Sequence, residues 1–258
     1  MSEITGKTLI ITGASRGIGH ALALELADEG VNLVLNARTP EPLEKTAAEC
    51  RKVGVRVEFE PGSAASEAVA ARLVDMALGM GNFYGFIQVA GVLRPGPLVT
   101  ELFPDEFQDI FEASVLASFQ MARTAFPHLR GGGLAVFFGS GAAESVVPGL
   151  GSYCAAKAAE EHLARQLAAE APWITTFAFR PGVVDTRMIR DLSKARGGAA
   201  ETVHRQFRQY KERGEILPPQ VPAKALTAIL KSNPRRFHGR VAGWRDGAES
   251  GTEWSRAV

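Results

Sequence analysis

The sequence predicts an α/β protein, a single doubly wound domain with a seven-stranded parallel sheet and helices on both faces. Three observations carry this. Short apolar runs alternate with helical stretches along most of the chain. The runs are continuously apolar, as in strands buried on both faces of a parallel sheet. The first run ends in the glycine-rich turn TGASRGIG (12–19), which opens a helix. Strand, glycine turn and helix in that order are the start of a βαβ unit.

The elements follow in order. KTLIIT (7–12) is the first strand, and the helix IGHALALELADEG (18–30) ends at Gly30. NLVLNA (32–37) precedes a helix over 41–52, and VRVEFE (55–60) precedes SEAVAARLVDMAL (66–78). FYGFIQVA (83–90) is the fourth strand. A long helical region over 105–129 carries Phe107, Phe111, Val115 and Phe119 at four-residue steps, an apolar stripe assigned to the face toward the sheet. LAVFFGS (134–140), a helix over 152–170 and ITTFAFR (174–180) come next. A polar segment separates that strand from a helix over 221–231, and GRVAGW (239–244) closes the sheet. PRRFHGR (234–240) reads as an exposed basic loop. No repeat or composition break marks a second domain.

With 46% apolar residues the chain has enough for a sizeable core. A net charge of +1 argues against a dedicated nucleic-acid binder. Cys50 and Cys154 form no disulfide framework or metal-ligand pattern and read as small semi-buried thiols, with no metal expected. The first residues show no signal peptide, and no run is long enough to span a bilayer, so a cytoplasmic location without membrane contact is the expectation.

Gly13, Gly17 and Gly19 let the backbone turn tightly and let a pyrophosphate approach the N–H groups and positive dipole end of the helix. Other landmarks lie downstream. Ser140 stands thirteen residues before Tyr153. Tyr153 and Lys157 share one helix face in GSYCAAKAAEEH (151–162). RPGVVDT (180–186) follows the sixth strand. With these motifs the sequence resembles the short-chain dehydrogenase/reductase family from about Lys7 to Met188, and more loosely beyond. YCAAKAA and PGVVDTRM are most similar to the sepiapterin reductase and benzil reductase branch.

The second strand ends in Asn36, Ala37 and Arg38, with no acid before Glu41. A carboxylate there would accept the ribose 2′-hydroxyl of NAD and repel a 2′-phosphate. Arg38 and Arg16 instead offer planar guanidinium groups that bind phosphate through paired hydrogen bonds. The expected cofactor is NADP(H). The resemblance implies that it lies along Gly13, Ser15, Arg16, Gly17, Ile18, Gly19, Arg38, Ala90, Gly91, Pro181, Gly182, Val184 and Thr186, and touches Tyr153 and Lys157.

Hydride arriving at a carbonyl leaves negative charge on oxygen, which calls for a proton donor. A free phenol ionises near pH 10, and a cation about 4 Å away at an effective dielectric near 20 is worth roughly three units of that. This is a reason for Lys157 to share a face with Tyr153. The resemblance implies Tyr153 as general acid/base, Lys157 as its tuning cation and ribose ligand, and Ser140 as a hydrogen-bond donor to the substrate oxygen. It also implies that Thr186 and the Val184 backbone hold the carboxamide.

Three positions depart from the family pattern. Val89 stands where an Asn is usual, Gly62 where an Asp is usual, and Ser114 where a catalytic Asn holds a relay water. A serine hydroxyl is shorter but still binds water. The segment 186–218 is expected to cover the substrate as a solvated amphipathic helix pair hinged at RGGAA (196–200). Val92, Leu93, Val147, Pro148, Met188 and Ile189 are expected in the pocket wall. The sequence thus reads as an NADPH-dependent reductase of ketones, diketones or aldehydes that forms a homodimer or homotetramer. An alcohol dehydrogenase working oxidatively and a weakly catalytic NADP-binding sensor or interaction protein are the alternatives.

Overall fold

The structure, a computed structural model, describes residues 4–248. Its sheet has seven parallel strands: β1 (Thr8–Thr12), β2 (Asn32–Ala37), β3 (Val57–Pro61), β4 (Phe83–Gln88), β5 (Gly133–Phe138), β6 (Ile174–Arg180) and β7 (Val241–Gly243). Their spatial order is β3-β2-β1-β4-β5-β6-β7, a doubly wound Rossmann-type sheet. The connecting helices are α1 (Gly17–Asp28), α2 (Pro40–Arg51), α3 (Glu67–Met80), α4 (Pro104–Phe111), α5 (Ala117–Ala125), α6 (Gly151–Glu170), α7 (Arg187–Asp191), α8 (Ala200–Glu212), α9 (Gln220–Ser232) and α10 (Trp244–Ala248).

Side chains alternate across a strand, so each apolar run feeds two cores. Leu9, Ile11, Leu33, Leu35 and Val136 pack with α1, α2 and α9. Ile10, Val34, Phe86, Ala135 and Phe137 pack with α3, α5 and the middle of α6. The register Ile10↔Val34 and Ile10↔Phe86 keeps these side chains in one row.

The second and sixth strands have the expected bounds, and the third begins two residues late. The closing strand is only three residues long because α10 starts at Trp244. PRRFHGR is only partly an exposed loop. Pro234 is buried in a 3₁₀ turn over Pro234–Phe237, and Phe237 packs 6.0 Å from Phe177. Cys50 and Cys154 are free and buried rather than semi-buried, and burial pushes the Cys50 thiol up to about 12.

The long central helix departs most from expectation. It is α4, a π-helical turn over Glu112–Leu116, and α5. The phenylalanine stripe does not face the sheet. Phe119 is 44% exposed, while Ile110, Ala117, Met121, Ala122 and Ala125 are buried. A four-residue step overshoots one turn of an α-helix by about 40°, so a stripe at that spacing winds off any single face. Among the described residues no helix is long and apolar enough to cross a membrane.

Phe86 is fully buried and meets Phe137 edge-on at 5.5 Å. Phe86→Ala is expected to lower the unfolding free energy by about 3–5 kcal/mol in urea titration. Phe103→Ala, at a position 70% exposed, is expected to change it by less than about 0.5 kcal/mol.

Candidate active site

Strand order reverses between β1 and β4, and connections leaving that point in opposite directions open a crevice at the carboxyl ends of the strands. A cleft of about 1200 Å³ lies there. Gly13 and Gly17 take φ +67° and +57°, the left-handed region that suits glycine. A Cβ on Gly13 would lie 2.9 Å from the Ala90 nitrogen, and one on Gly19 would lie 2.3 Å from the Gly13 carbonyl oxygen. Arg16 stands at the N-cap of α1, and no side chain caps that helix start. Its first N–H groups therefore remain for an anion. This cradle suits a pyrophosphate.

Every nucleotide-contact residue expected from the sequence lines this cleft: Gly13, Ser15, Arg16, Gly17, Ile18, Gly19, Arg38, Ala90, Gly91, Pro181, Gly182, Val184 and Thr186, with Tyr153 and Lys157. Arg16 and Arg38 are exposed at its rim. Arg38 reaches Asp109 of α4 at 3.4 Å, and Arg94 holds the other Asp109 oxygen at 2.9 Å.

The Thr12 and Asn36 side chains hold the backbone at the two positions where side chains of the family pattern are missing. The Val89 and Ala90 N–H groups donate to Thr12 Oγ1, which itself donates to Gln88 Oε1. The end of β4 is thereby tied to β1. At Gly62, φ is +143° and a Cβ would lie 2.8 Å from Val69 Cγ2, so the chain path itself disfavours an Asp. Asn36 Nδ2 donates to the Glu60 and Gly62 carbonyls and holds this turn.

The other end of the cleft is built on α6. Tyr153 is half-buried, and Lys157 Nζ lies 5.8 Å from its ring centre. Lys157 is buried; its ammonium donates to the Phe138 carbonyl at 2.7 Å and to Glu160 Oε2 at 2.6 Å. Ser118 of α5 donates to the other Glu160 oxygen at 2.7 Å. Burial pushes the Lys157 pKa down, but Glu160 and then Tyr153 outweigh it and hold it above the ordinary lysine value. Burial raises the Glu160 carboxyl above its usual range against the pull of Lys157 and Ser118.

Ser140 begins the 3₁₀ turn 141–144, and its Oγ accepts from the Ala142 N–H. Its own N–H donates to Glu161 Oε1. Glu161 is buried and takes two hydrogen bonds from Arg180, at 2.8 and 2.7 Å. Glu144 adds a third acceptor, and these bonds hold the Arg180 pKa above its ordinary value. Ser114 does not line the cleft. It is fully buried in the π turn with no hydrogen-bond partner on Oγ among the described residues, and a Cβ on Gly91 would lie 3.7 Å from that oxygen and 3.6 Å from Lys157 Nζ.

The apolar end takes Val92, Leu93, Val147, Met188 and Ile189 from the expected set, with Leu150, Leu192 and Tyr210. Pro148 is not in the wall and is exposed. The segment 186–218 has the expected two helical pieces, α7 and α8. It is tied at its base by the Val184–Leu217 bridge and at RGGAA by the Ala199 N–H to Gly96 carbonyl bond. Arg187 and Arg190 pair locally with Asp191 and Asp185.

Sequence reasoning missed Glu160, Glu161, Arg180 and Asp109. Glu160 had a signal. Residues 153, 157 and 160 fall on one helix face, and that face must be covered if Lys157 serves the cleft. Among the described residues no group of three or more His, Cys, Asp or Glu is arranged to hold a metal ion.

The sheet and cleft define a dinucleotide-binding α/β protein. Comparison with known proteins narrows this. The short chain dehydrogenase family model matches residues 7–197, and the chain belongs to this oxidoreductase family. It is 33% identical over 253 residues to an uncharacterised oxidoreductase of Schizosaccharomyces pombe, covering 95% of this chain and 99% of that one. It is 35% identical over 196 residues to a hydroxynaphthalene reductase-like protein of Metarhizium robertsii, covering 72% and 71%. The crystal structure of a short chain dehydrogenase/reductase from Saccharomyces cerevisiae superposes with a TM-score of 0.82 at 27% identity, covering 93% and 96%.

Arg180→Ala would leave the buried Glu161 carboxylate without its main partner. A loss of about 3–5 kcal/mol in unfolding free energy is expected from denaturant titration, with a smaller loss for Arg180→Lys.

Proposed function

We propose that the chain is an NADPH-dependent carbonyl reductase acting on ketones, diketones or aldehydes, with residues 1–258 working as one domain and 186–218 covering the substrate. The observation that carries this is the meeting of Ser140, Tyr153 and Lys157 in one cleft with the glycine cradle. The reductase-named relative supports the direction. Arg16 and Arg38 at the rim, without a carboxylate at the end of β2, support the 2′-phosphate.

The cofactor, when bound, supplies the hydride. The chain supplies the rest. Tyr153 gives its phenolic proton to the carbonyl oxygen as charge develops there. Ser140 Oγ already accepts from the Ala142 N–H, so its own proton is free to donate to the same oxygen. Lys157 commits two of three ammonium protons to Phe138 and Glu160 and keeps one for ribose hydroxyls. Thr186 and the Val184 backbone would hold the carboxamide. The apolar wall excludes water from the reacting carbon.

A homodimer or homotetramer in the cytoplasm completes the reading. Leu116, Phe119 and Trp173 are 41%, 44% and 50% exposed, and Phe119 and Trp173 line one groove with Phe126 and Leu167. Sedimentation at micromolar concentration is expected to show no free monomer; a monomer alone would refute the assembly.

Nucleotide titration is expected to show NADPH binding at least tenfold more tightly than NADH, since a charge-assisted phosphate contact contributes roughly 1.5–3 kcal/mol. Arg38→Asp is expected to reverse the preference; equal affinities in the wild type would remove the roles given to Arg16 and Arg38.

Turnover over a panel of carbonyl compounds tests the chemistry. Tyr153→Phe is expected to lose at least 10²–10⁴-fold in rate with NADPH affinity nearly unchanged. Lys157→Ala is expected to damage both. Ser114→Asn is expected to keep or raise turnover. A Tyr153→Phe variant as fast as wild type would leave a nucleotide-binding protein rather than this enzyme.

A further inference from the structure

Lys157 does not face Tyr153 as a lone cation. Its ammonium is 2.6 Å from Glu160 Oε2, and both side chains are almost fully buried. Ser118 fixes the second carboxylate oxygen, and the Phe138 carbonyl fixes the ammonium from the other side. An acid is costly at so closed a position unless it is paired, and here its partner Lys157 stands about one turn from the proposed proton donor.

The other charges packed around α6 are engaged elsewhere. From β6, Arg180 is held by Glu161 and by Glu144 of the 141–144 turn. Arg165 of α6 lies 3.9 Å from Glu161. From α4, Asp109 is held by Arg38 and Arg94. Glu112 of the π turn accepts from Ser63, and Tyr210 of α8 accepts from Gln206. Lys157 with its counter-ion Glu160 is thus the charged pair set beside the phenol.

We propose that Glu160 is a positioning residue that sets the pH range over which the site works, by cancelling most of the positive charge that Lys157 presents to Tyr153 and so keeping the phenol in its proton-donating form. This rests on the reading of Tyr153 as proton donor. A lone cation about 4 Å from a phenol at an effective dielectric near 20 eases its ionisation by roughly three pH units. A cation in contact with a carboxylate acts as a dipole, whose field is smaller and falls off faster. The pair still fixes the ammonium for a ribose, so nucleotide binding is retained while phenolate formation is not promoted. Carbonyl reduction uses the phenol; alcohol oxidation uses the phenolate. Glu160 therefore moves alcohol oxidation to higher pH while the phenol needed for carbonyl reduction stays populated near neutral pH.

The test is the pH profile of alcohol oxidation with NADP⁺, measured for wild type, Glu160→Gln and Glu160→Asp. It is paired with ultraviolet titration of the phenolate band, for which the corresponding Tyr153→Phe protein is the reference. The chain has three tyrosines, so the difference isolates one. Glu160→Gln is expected to move both midpoints down by at least about one pH unit, roughly a tenfold gain in phenolate below the midpoint. Glu160→Asp, which keeps the charge, is expected to stay with wild type. A folded Glu160→Gln protein with unchanged or raised midpoints overturns the proposal.

Glu160→Gln strands a buried ammonium and can fail to fold. The double variant Lys157→Met/Glu160→Leu replaces the pair with apolar side chains, a change that cores often tolerate. Its phenolate midpoint is expected within about one unit of wild type, because a cancelled charge is little missed. A rise of two units or more shows that Lys157 acts unshielded and overturns the proposal. A fully active Tyr153→Phe protein would instead fail the underlying reading; an inactive one with unmoved Glu160→Gln midpoints fails this inference alone.

Discussion

An ammonium buried to 3% exposure on α6 needs partners at once, because an unpaired charge in a low-dielectric interior costs several kcal/mol. Lys157 finds one on the neighbouring strand β5 and one on its own helix. The Phe138 carbonyl belongs to the last residue of β5, and Glu160 is in turn held by Ser118 of α5. The next residue along, Glu161, faces a different set: the Ser140 N–H and the Arg180 guanidinium at the end of β6. Two adjacent buried acids thus tie one helix to β5, β6 and α5. The positions of Tyr153, Lys157 and Ser140 depend on these ties. A Cβ on Gly139 would lie 2.3 Å from Glu161 Oε1, a measure of how closely the helix sits on the strand end.

The nucleotide end rests on a different kind of constraint. Its shape comes from backbone packing with no Cβ in the way, as at Gly19, and from Thr12, which gathers two N–H groups from the β4 end onto β1. This lets Val89 and Gly62 stand at positions where the family usually has polar groups without opening the cleft.

The cations of the rim are held loosely. Arg38 meets Asp109 at 3.4 Å with more than half of its side chain exposed, a contact worth at most about 1 kcal/mol in water. Such a partner holds the guanidinium over the cleft and yields readily to a phosphate. The cleft therefore combines rigid, buried charges at its proposed chemical end with exchangeable ones at its proposed phosphate end.

The fold and most residues of the candidate site could be read from the sequence alone because they rest on local patterns. Continuously apolar runs mark strands of a two-faced sheet, a glycine turn after the first strand marks the crevice, and a four-residue spacing puts Tyr153 and Lys157 on one face. Every expected nucleotide-contact residue, Tyr153 and Lys157 among them, lines the cleft, and so does Ser140. What the sequence did not determine are contacts between elements far apart in the chain. Ser118 to Glu160 spans 42 residues, Arg38 to Asp109 spans 71, and Thr12 to Gln88 spans 76. The outward turn of Phe119 belongs with these, since helix phase is settled by packing and by the π turn. Local spacing names which side chains share a face. Only the tertiary structure decides which are buried together, and burial gives a charge pair such as Lys157 and Glu160 its effect.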